Sequence, residues 1–234
     1  MATAVQPSSR RQRLLDSAAA LFARWGFDKT SVDDIARAAG ISKGAVYLEF
    51  PNKDGLFKAL LHRELARYTA DWLRRFEQDA ENWSFARMVQ HSLAAVDANP
   101  FVKALMLQDQ RLFGRFLRRD PELIGLAISL RAELLAQLQG IGAIRADIPA
   151  QTLAYLITIS GYGVIAGSDV VPEQYRLPLE DVLWAWGSLL DRALSPTKMT
   201  NRQKARAALI SMVRKMEVAL RTLDQPVKEG NVTP

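Results

Sequence analysis

The 234-residue sequence has no cysteine and only two histidines. The first absence excludes a disulfide framework, thiol catalysis and any Cys-ligated zinc or iron–sulfur centre. The second leaves His62 and His91, and neither has a partner at the spacing that a metal site or a catalytic triad demands. The run His62-Arg63-Glu64-Leu65-Ala66 lacks the second histidine of a metalloprotease helix. Long apolar runs are missing too. No signal-peptide core follows Arg10 and Arg11, which places the expected location in the cytoplasm. The longest apolar stretch, residues 153–167, falls short of the ~20 residues that span a bilayer and carries Thr158, Ser160, Gly161 and Gly163. It reads as a buried packing helix, with no membrane partner. Its glycines do not make a dinucleotide loop, because no strand precedes them and the last spacing is too long. No stretch alternates long enough to suggest a sheet. These absences point to a chain with no catalytic residues, no metal and no cofactor.

What is present is ordinary for a globular chain, with 49% hydrophobic and 24% charged residues. A net charge of +6 and a pI of about 9.7 favour an anionic partner such as nucleic acid. Leu14, Leu15, Ala18, Leu21, Phe22 and Trp25 recur at helical steps, predicting a helix over 8–25 that Gly26 stops. Ser31 and Asp34 form an acidic capping box for a short helix ending near Ala39. Gly40 supplies a positive φ for a tight turn, and Ile41 anchors it. Ser42 caps a third helix, Lys43 to Phe50. Pro51 ends it, and Asn52 caps a longer one bearing Leu56, Phe57, Leu60, Leu61, Leu65, Tyr68, Trp72 and Phe76. Further helices are predicted over 83–96, irregularly from Pro100 to 119, then over 121–138, 150–167, 178–194 and 200–223.

The expected fold class is all-α: an N-terminal three-helix helix-turn-helix head followed by a helical-bundle body. The expected domains are 8–61 for the head, with the helix-turn-helix at about 31–50, and 62–224 for the body. Mobile tails are expected at 1–7 and 225–234.

Three short helices, the second and third joined by Ala36-Arg37-Ala38-Ala39-Gly40-Ile41-Ser42, have the layout of a helix-turn-helix that presents its third helix to a major groove. The segments Gly26 to Ala36 and Ala39 to Leu56 (AGISKGAVYLEFPNKDGL) closely resemble the TetR family of bacterial repressors, almost unbroken from Arg11 to Leu61. A second echo is Gly142-Ala143-Ile144-Arg145-Ala146-Asp147-Ile148, similar to the segment before the family's dimerisation helices. The resemblance implies a homodimer on double-stranded, palindromic operator DNA, without enzymatic activity, released by a small molecule bound in the body. Carried over residue by residue, it implies that Thr30 and Ser31 face a phosphate. Ser42, Lys43, Gly44 and Ala45 would then lie near base edges or phosphates, with Tyr47 and Lys53 holding the backbone. Glu49 departs from the pattern, standing where the family often has His or Tyr. A carboxylate there either turns away to a nearby cation or accepts from a cytosine amino group. Arg10, Arg11 and Arg13 read either as minor-groove contacts or as solvated arginines ahead of a helix.

In the body, Trp72, Phe76, Met88, Phe101, Met106, Phe113, Phe116 and Tyr162 are candidates to line a pocket for a small apolar or aromatic effector, or are plain core. Leu153, Leu156, Ile157, Trp186, Leu189 and Leu190 are candidates for the dimer interface. The last helix repeats Leu209, Val213, Met216, Leu220 and Leu223, a stripe to be covered by the body or by a second subunit. Two alternatives stay open: a DNA-binding or architectural protein with no effector, and a helical ligand-binding enzyme with a DNA-binding head. The second would need convergent His, Asp or Glu within 80–195, and no such cluster is evident.

Overall fold

The computed structural model describes residues 9–79, 84–107, 109–113, 116, 122–196 and 202–223, and every regular element among them is helical. The expected tails at 1–7 and 225–234 lie outside the described residues. The α-helices are α1 (Arg10–Lys29), α2 (Val32–Ala39), α3 (Lys43–Glu49), α4 (Lys53–Gln78), α5 (Phe85–Asp97), α6 (Pro100–Met106) and α7 (Gln110–Phe113). They continue with α8 (Glu122–Gly140), α9 (Ala150–Val170), α10 (Leu179–Leu194) and α11 (Arg202–Leu223), and a 3₁₀ turn, Glu173–Tyr175, precedes α10.

Local chemistry sets the boundaries of the head. Ser9 accepts from the Gln12 amide at 3.2 Å and starts α1, whose inner face buries Leu14, Leu15, Ala18 and Phe22. Gly26 does not end the element. It adopts φ 81° and ψ 166°, a kink open to glycine, and helical bonding resumes as far as Lys29. The capping box forms as expected: the Asp34 amide donates to Ser31 Oγ at 3.1 Å, and the Ser31 amide donates to Asp34 Oδ2 at 3.1 Å. Ser31→Ala is expected to cost about 1 kcal/mol, the usual loss for an N-cap hydroxyl, measurable by urea denaturation. Gly40 takes the left-handed conformation at φ 65°, where its amide and that of Ile41 close α2 on Arg37 and Ala36 carbonyls. Ser42 caps α3 and Asn52 caps α4, the latter accepting from the Gly55 amide at 2.8 Å.

Two apolar cores result. The body core gathers α4, α5, α8, α9, α10 and α11 around Trp72, Phe76, Leu93, Leu135, Ile157 and Leu209. The head core joins Leu14, Phe22, Ile35, Val46, Phe57 and Leu60, and it also takes in Phe101, Phe113 and Phe116 from beyond α5. Their rings pack around Phe57, with centroids 5.7 Å, 5.5 Å and 4.5 Å away. These three aromatics, expected among the pocket candidates, instead lock α6, α7 and residue 116 onto the head. Continuous α4 runs through both cores. The expected stripe of the last helix is covered from within the chain: Ala205, Leu209, Met212 and Val213 are buried, and Arg214 pairs with Glu77 of α4 at 2.9 Å. The side chains of Leu220 and Leu223 lie outside the described residues.

Candidate nucleic-acid interface

α2 and α3 pack through Ile35, Ala36 and Val46, all buried, so the opposite side of α3 is forced outward. In a helix, residues four apart share a face, and Lys43, Gly44, Tyr47 and Leu48 form that outer face. Tyr47 is 46% exposed and Leu48 82% exposed. A Cβ added to Gly44 would meet nothing within 4 Å, so the surface there is open. Ser42 is exposed at the start of α3 and Ala45 half-buried, its amide held by Ser42 Oγ at 3.3 Å. Leu48 was not among the sequence candidates. Its signal was present all the same, because inward Val46 and Phe50 leave position 48 no inward direction on a helix of this length. A fully exposed leucine on such a face suits the methyl group of a thymine.

Two of the expected phosphate contacts are corrected. Thr30 is 1% exposed, and its hydroxyl donates to the Gly26 carbonyl at 2.8 Å, because an unpaired hydroxyl could not be buried there without cost. Its side chain therefore closes α1 and does not face solvent. Lys53 is directed inward: Nζ donates to the carbonyls of Phe27 at 2.9 Å and Thr30 at 3.1 Å, and sits 4.3 Å from the centroid of the Phe27 ring. The end of α1 supplies unsatisfied carbonyls, and the ammonium at the start of α4 satisfies them. Ser31 is exposed, with its hydroxyl donating to Asp34 Oδ2 at 2.6 Å. That bond, together with the one from the Ser31 amide, holds the Asp34 carboxyl below its usual range.

Lys43 is outward, but it pairs with Asp33 of α2 at 2.9 Å, which raises its pKa through the hydrogen bond and the opposite charge. Both partners are exposed, so the pair holds the side chain in place at little energetic gain. Arg11 lies 4.5 Å from the Phe50 centroid and donates to the Glu49 carbonyl at 3.4 Å. It thus braces the end of α3 from α1. Glu49 is half-buried, and the contact from Arg11 is to its backbone carbonyl.

In the body, Trp72, Phe76 and Met88 are close-packed core, with Trp72 Nε1 donating to the Met88 carbonyl at 3.1 Å. Met106 packs at the edge of that core, while Tyr162 is exposed on α9. Of the interface candidates, Leu153 and Ile157 are buried within their own chain, and Trp186 and Leu190 pack partly against its core. Leu156 and Leu189 do face outward. Tyr155, Ile159 and Trp184 join them, giving α9 and α10 an uncovered apolar face. Adjacent helix positions diverge by about 100°, so the interface candidates split between inside and outside. Among the described residues no group of acidic or histidine side chains could hold a metal ion, and no helix is long and apolar enough to cross a membrane.

Residues 14–60 match the family described as bacterial regulatory proteins, tetR family. The chain is 29% identical to an HTH-type transcriptional repressor of Mycobacterium tuberculosis over 167 residues, 68% of this chain and 82% of the relative. It is 42% identical to the HTH-type transcriptional repressor KstR2 of Mycolicibacterium smegmatis over 77 residues, 32% of this chain and 35% of that one. Its fold is similar to that of the transcriptional regulator FadR from Bacillus subtilis, solved in complex with stearoyl-CoA. The TM-score is 0.57 at 17% identity, covering 76% of this chain and 96% of the other. An outward recognition face on a two-helix turn, on a chain whose residues 14–60 match the tetR family of bacterial regulatory proteins, is a DNA-reading device, and the protein is a DNA-binding transcriptional regulator with a head similar to that family's.

Proposed function

We propose that the chain is a dimeric repressor that leaves a palindromic operator when a small molecule enters its body. The observation that carries DNA reading is the outer face of α3, where Lys43, Tyr47 and Leu48 project beyond a packed turn. In this reading residues 8–61 form the head and 62–224 the body. Ser31, Ser42, Lys43, Gly44, Ala45, Tyr47 and Leu48 approach DNA, with Lys53 and Thr30 supporting them from within. The coupled cores support release by ligand, because α4 and α6 contribute to both the ligand-binding body and the head. The similarly folded FadR from Bacillus subtilis forms a complex with stearoyl-CoA. The ligand acts by favouring a state in which the two heads no longer match successive major grooves, about 34–36 Å apart. Nothing in this mechanism calls for catalysis.

Dimerisation is supported by the apolar face of Tyr155, Leu156, Ile159 and Tyr162 on α9 with Trp184 and Leu189 on α10, the last two each 67% exposed. A face of this kind calls for a covering partner, and a two-fold pairing covers it with itself. The test is selection of an operator from random DNA, followed by light scattering and titration. A dimer at micromolar concentration that binds inverted half-sites is expected; a monomer, or binding without sequence preference, would contradict the proposal. Trp184→Glu combined with Leu189→Arg is expected to give a monomer whose operator affinity is lower by roughly 10²–10⁴, the gain that linkage of two binding modules supplies.

A further inference from the structure

Among the described residues the buried polar side chains are Thr30, Glu64 and Thr69, and only Glu64 carries a charge. The two threonines each donate to a carbonyl four residues back. Glu64 does something else. It lies on α4 where the head gives way to the body, and its two carboxylate oxygens are shared between different elements. Oε1 accepts from Arg63 Nε at 3.1 Å and from Arg67 Nη1 at 2.9 Å, while Oε2 accepts from Asn99 Nδ2 at 3.2 Å. Arg63, its side chain 10% exposed, continues the line into α1: Nη1 donates to Asp16 Oδ1 at 2.6 Å and Nη2 to the Leu15 carbonyl at 3.4 Å. At the other end, Asn99 Oδ1 accepts from the Phe101 and Val102 amides at 3.1 Å each and so caps α6. One line of bonds therefore ties α1, the middle of α4 and the start of α6.

A carboxylate taken out of water among cations seldom adds more stability than apolar packing of the same volume. The seam is already held by the rings around Phe57, so cohesion does not explain the line. Direction does. Apolar surfaces attract without a preferred angle, whereas charge-assisted hydrogen bonds hold donor and acceptor to a narrow distance and angle. Leu14 and Phe22 of α1 share a core with Ile35 of α2 and Val46 of α3, so the helix-turn-helix follows α1. Fixing α1 against α4 and α6 fixes the angle at which the body presents α3.

We propose that the line Asp16–Arg63–Glu64–Asn99 sets the half-site separation that the dimer accepts on DNA, which makes Glu64 a specificity-determining residue at a distance from the bases. This rests on the dimeric operator reading above. Moving a half-site by one base pair shifts it by about 3.4 Å and turns it by about 35°. Two heads held at one angle cannot follow that change, and two heads freed from it can.

The test uses the full-length protein on its selected operator and on versions whose half-sites stand one base pair closer or farther apart. Asn99→Asp keeps an acceptor for the α6 amides but sets a second carboxylate against Glu64. It is expected to reduce the preference for the selected spacing at least about tenfold, the scale of a lost charge-assisted hydrogen bond, with base preference inside each half-site unchanged. Glu64→Gln added to Asn99→Asp again sets a donor against an acceptor and is expected to recover the parent's spacing preference. Asp16→Asn, at an exposed position that leaves the core untouched, is expected to relax the spacing in the same direction. A protein that selects no paired half-sites would overturn the dimeric reading and this proposal together. Paired half-sites whose spacing profile none of these variants alters would overturn the proposal alone. So would variants that lower Tm and weaken every spacing by one common factor, because the line would then be structural only.

Discussion

Phe57→Ala is expected to destabilise the protein by about 3–5 kcal/mol, the range for an aromatic ring removed from a packed core. In a chain of this length that lowers Tm by roughly 6–20 °C. The expectation stands at the upper end because the ring is completely buried and bounded on several sides by other rings. Phe22 and Phe27 lie at 4.9 Å on the α1 side, and Phe113 and Phe116 lie at 5.5 Å and 4.5 Å on the other. Rings held by separate helices cannot all move into one void, so the site collapses poorly and most of the cavity cost remains. Edge-to-face pairs such as Phe22–Phe57, at 77°, add a further contribution beyond area.

The loss should also travel. Phe57 sits on the helix shared by both cores, so head and body are expected to melt together in one transition at a lower temperature, with DNA binding lost at the same point. Urea denaturation followed by tryptophan fluorescence and by operator binding checks the coincidence. Val218→Ala, at an exposed position of α11, is the control and should stay within about 0.5 kcal/mol of the parent. A Phe57→Ala protein that loses less than 1 kcal/mol would show that the ring cluster is loosely packed and that the two cores are independent.

Helix starts were legible in the sequence because each is written in a few adjacent residues. Ser31 with Asp34, Ser42 and Asn52 cap where their chemistry places them, and Pro100 opens the first turn of α6, which Asn99 caps. Gly40 was legible for the same reason, since only a left-handed residue closes that turn. Allegiance between packed layers was not legible. Phe101, Phe113 and Phe116 carry the same apolar signal whether they line a pocket or grip the head, and only the path of α6 and α7 decides. Thr30 and Lys53 looked exposed because both are polar. Their burial is set by carbonyls at the end of α1, which become acceptors only once the Gly26 kink has formed.

Lys53 and Lys43, two of the four lysines of the head, are expected to fail in different ways. Lys53→Ala removes an ammonium that ties the end of α1 to the start of α4 through the Phe27 and Thr30 carbonyls. Charge-assisted bonds to backbone of this kind contribute about 1.5–3 kcal/mol each way of counting, so Tm should fall measurably. Loss of head rigidity weakens every DNA sequence alike. Because the ammonium is spent inside the protein, the slope of log K against log salt should stay unchanged. A slope shallower by about one unit per protomer would place the group on a phosphate instead. Lys43→Ala should leave Tm unaltered, since its exposed pair with Asp33 holds little stability. Its cost falls on the operator, roughly tenfold or more, with specificity relaxed at one base pair per half-site, as expected when a base-edge contact is lost. Asp33→Asn completes the set. It releases Lys43 and removes a negative charge beside the groove, so affinity should rise for operator and random DNA together, most at low salt. If Lys43→Ala instead weakened both DNAs equally, base reading on α3 would pass to Tyr47 and Leu48, the remaining exposed side chains of the same face.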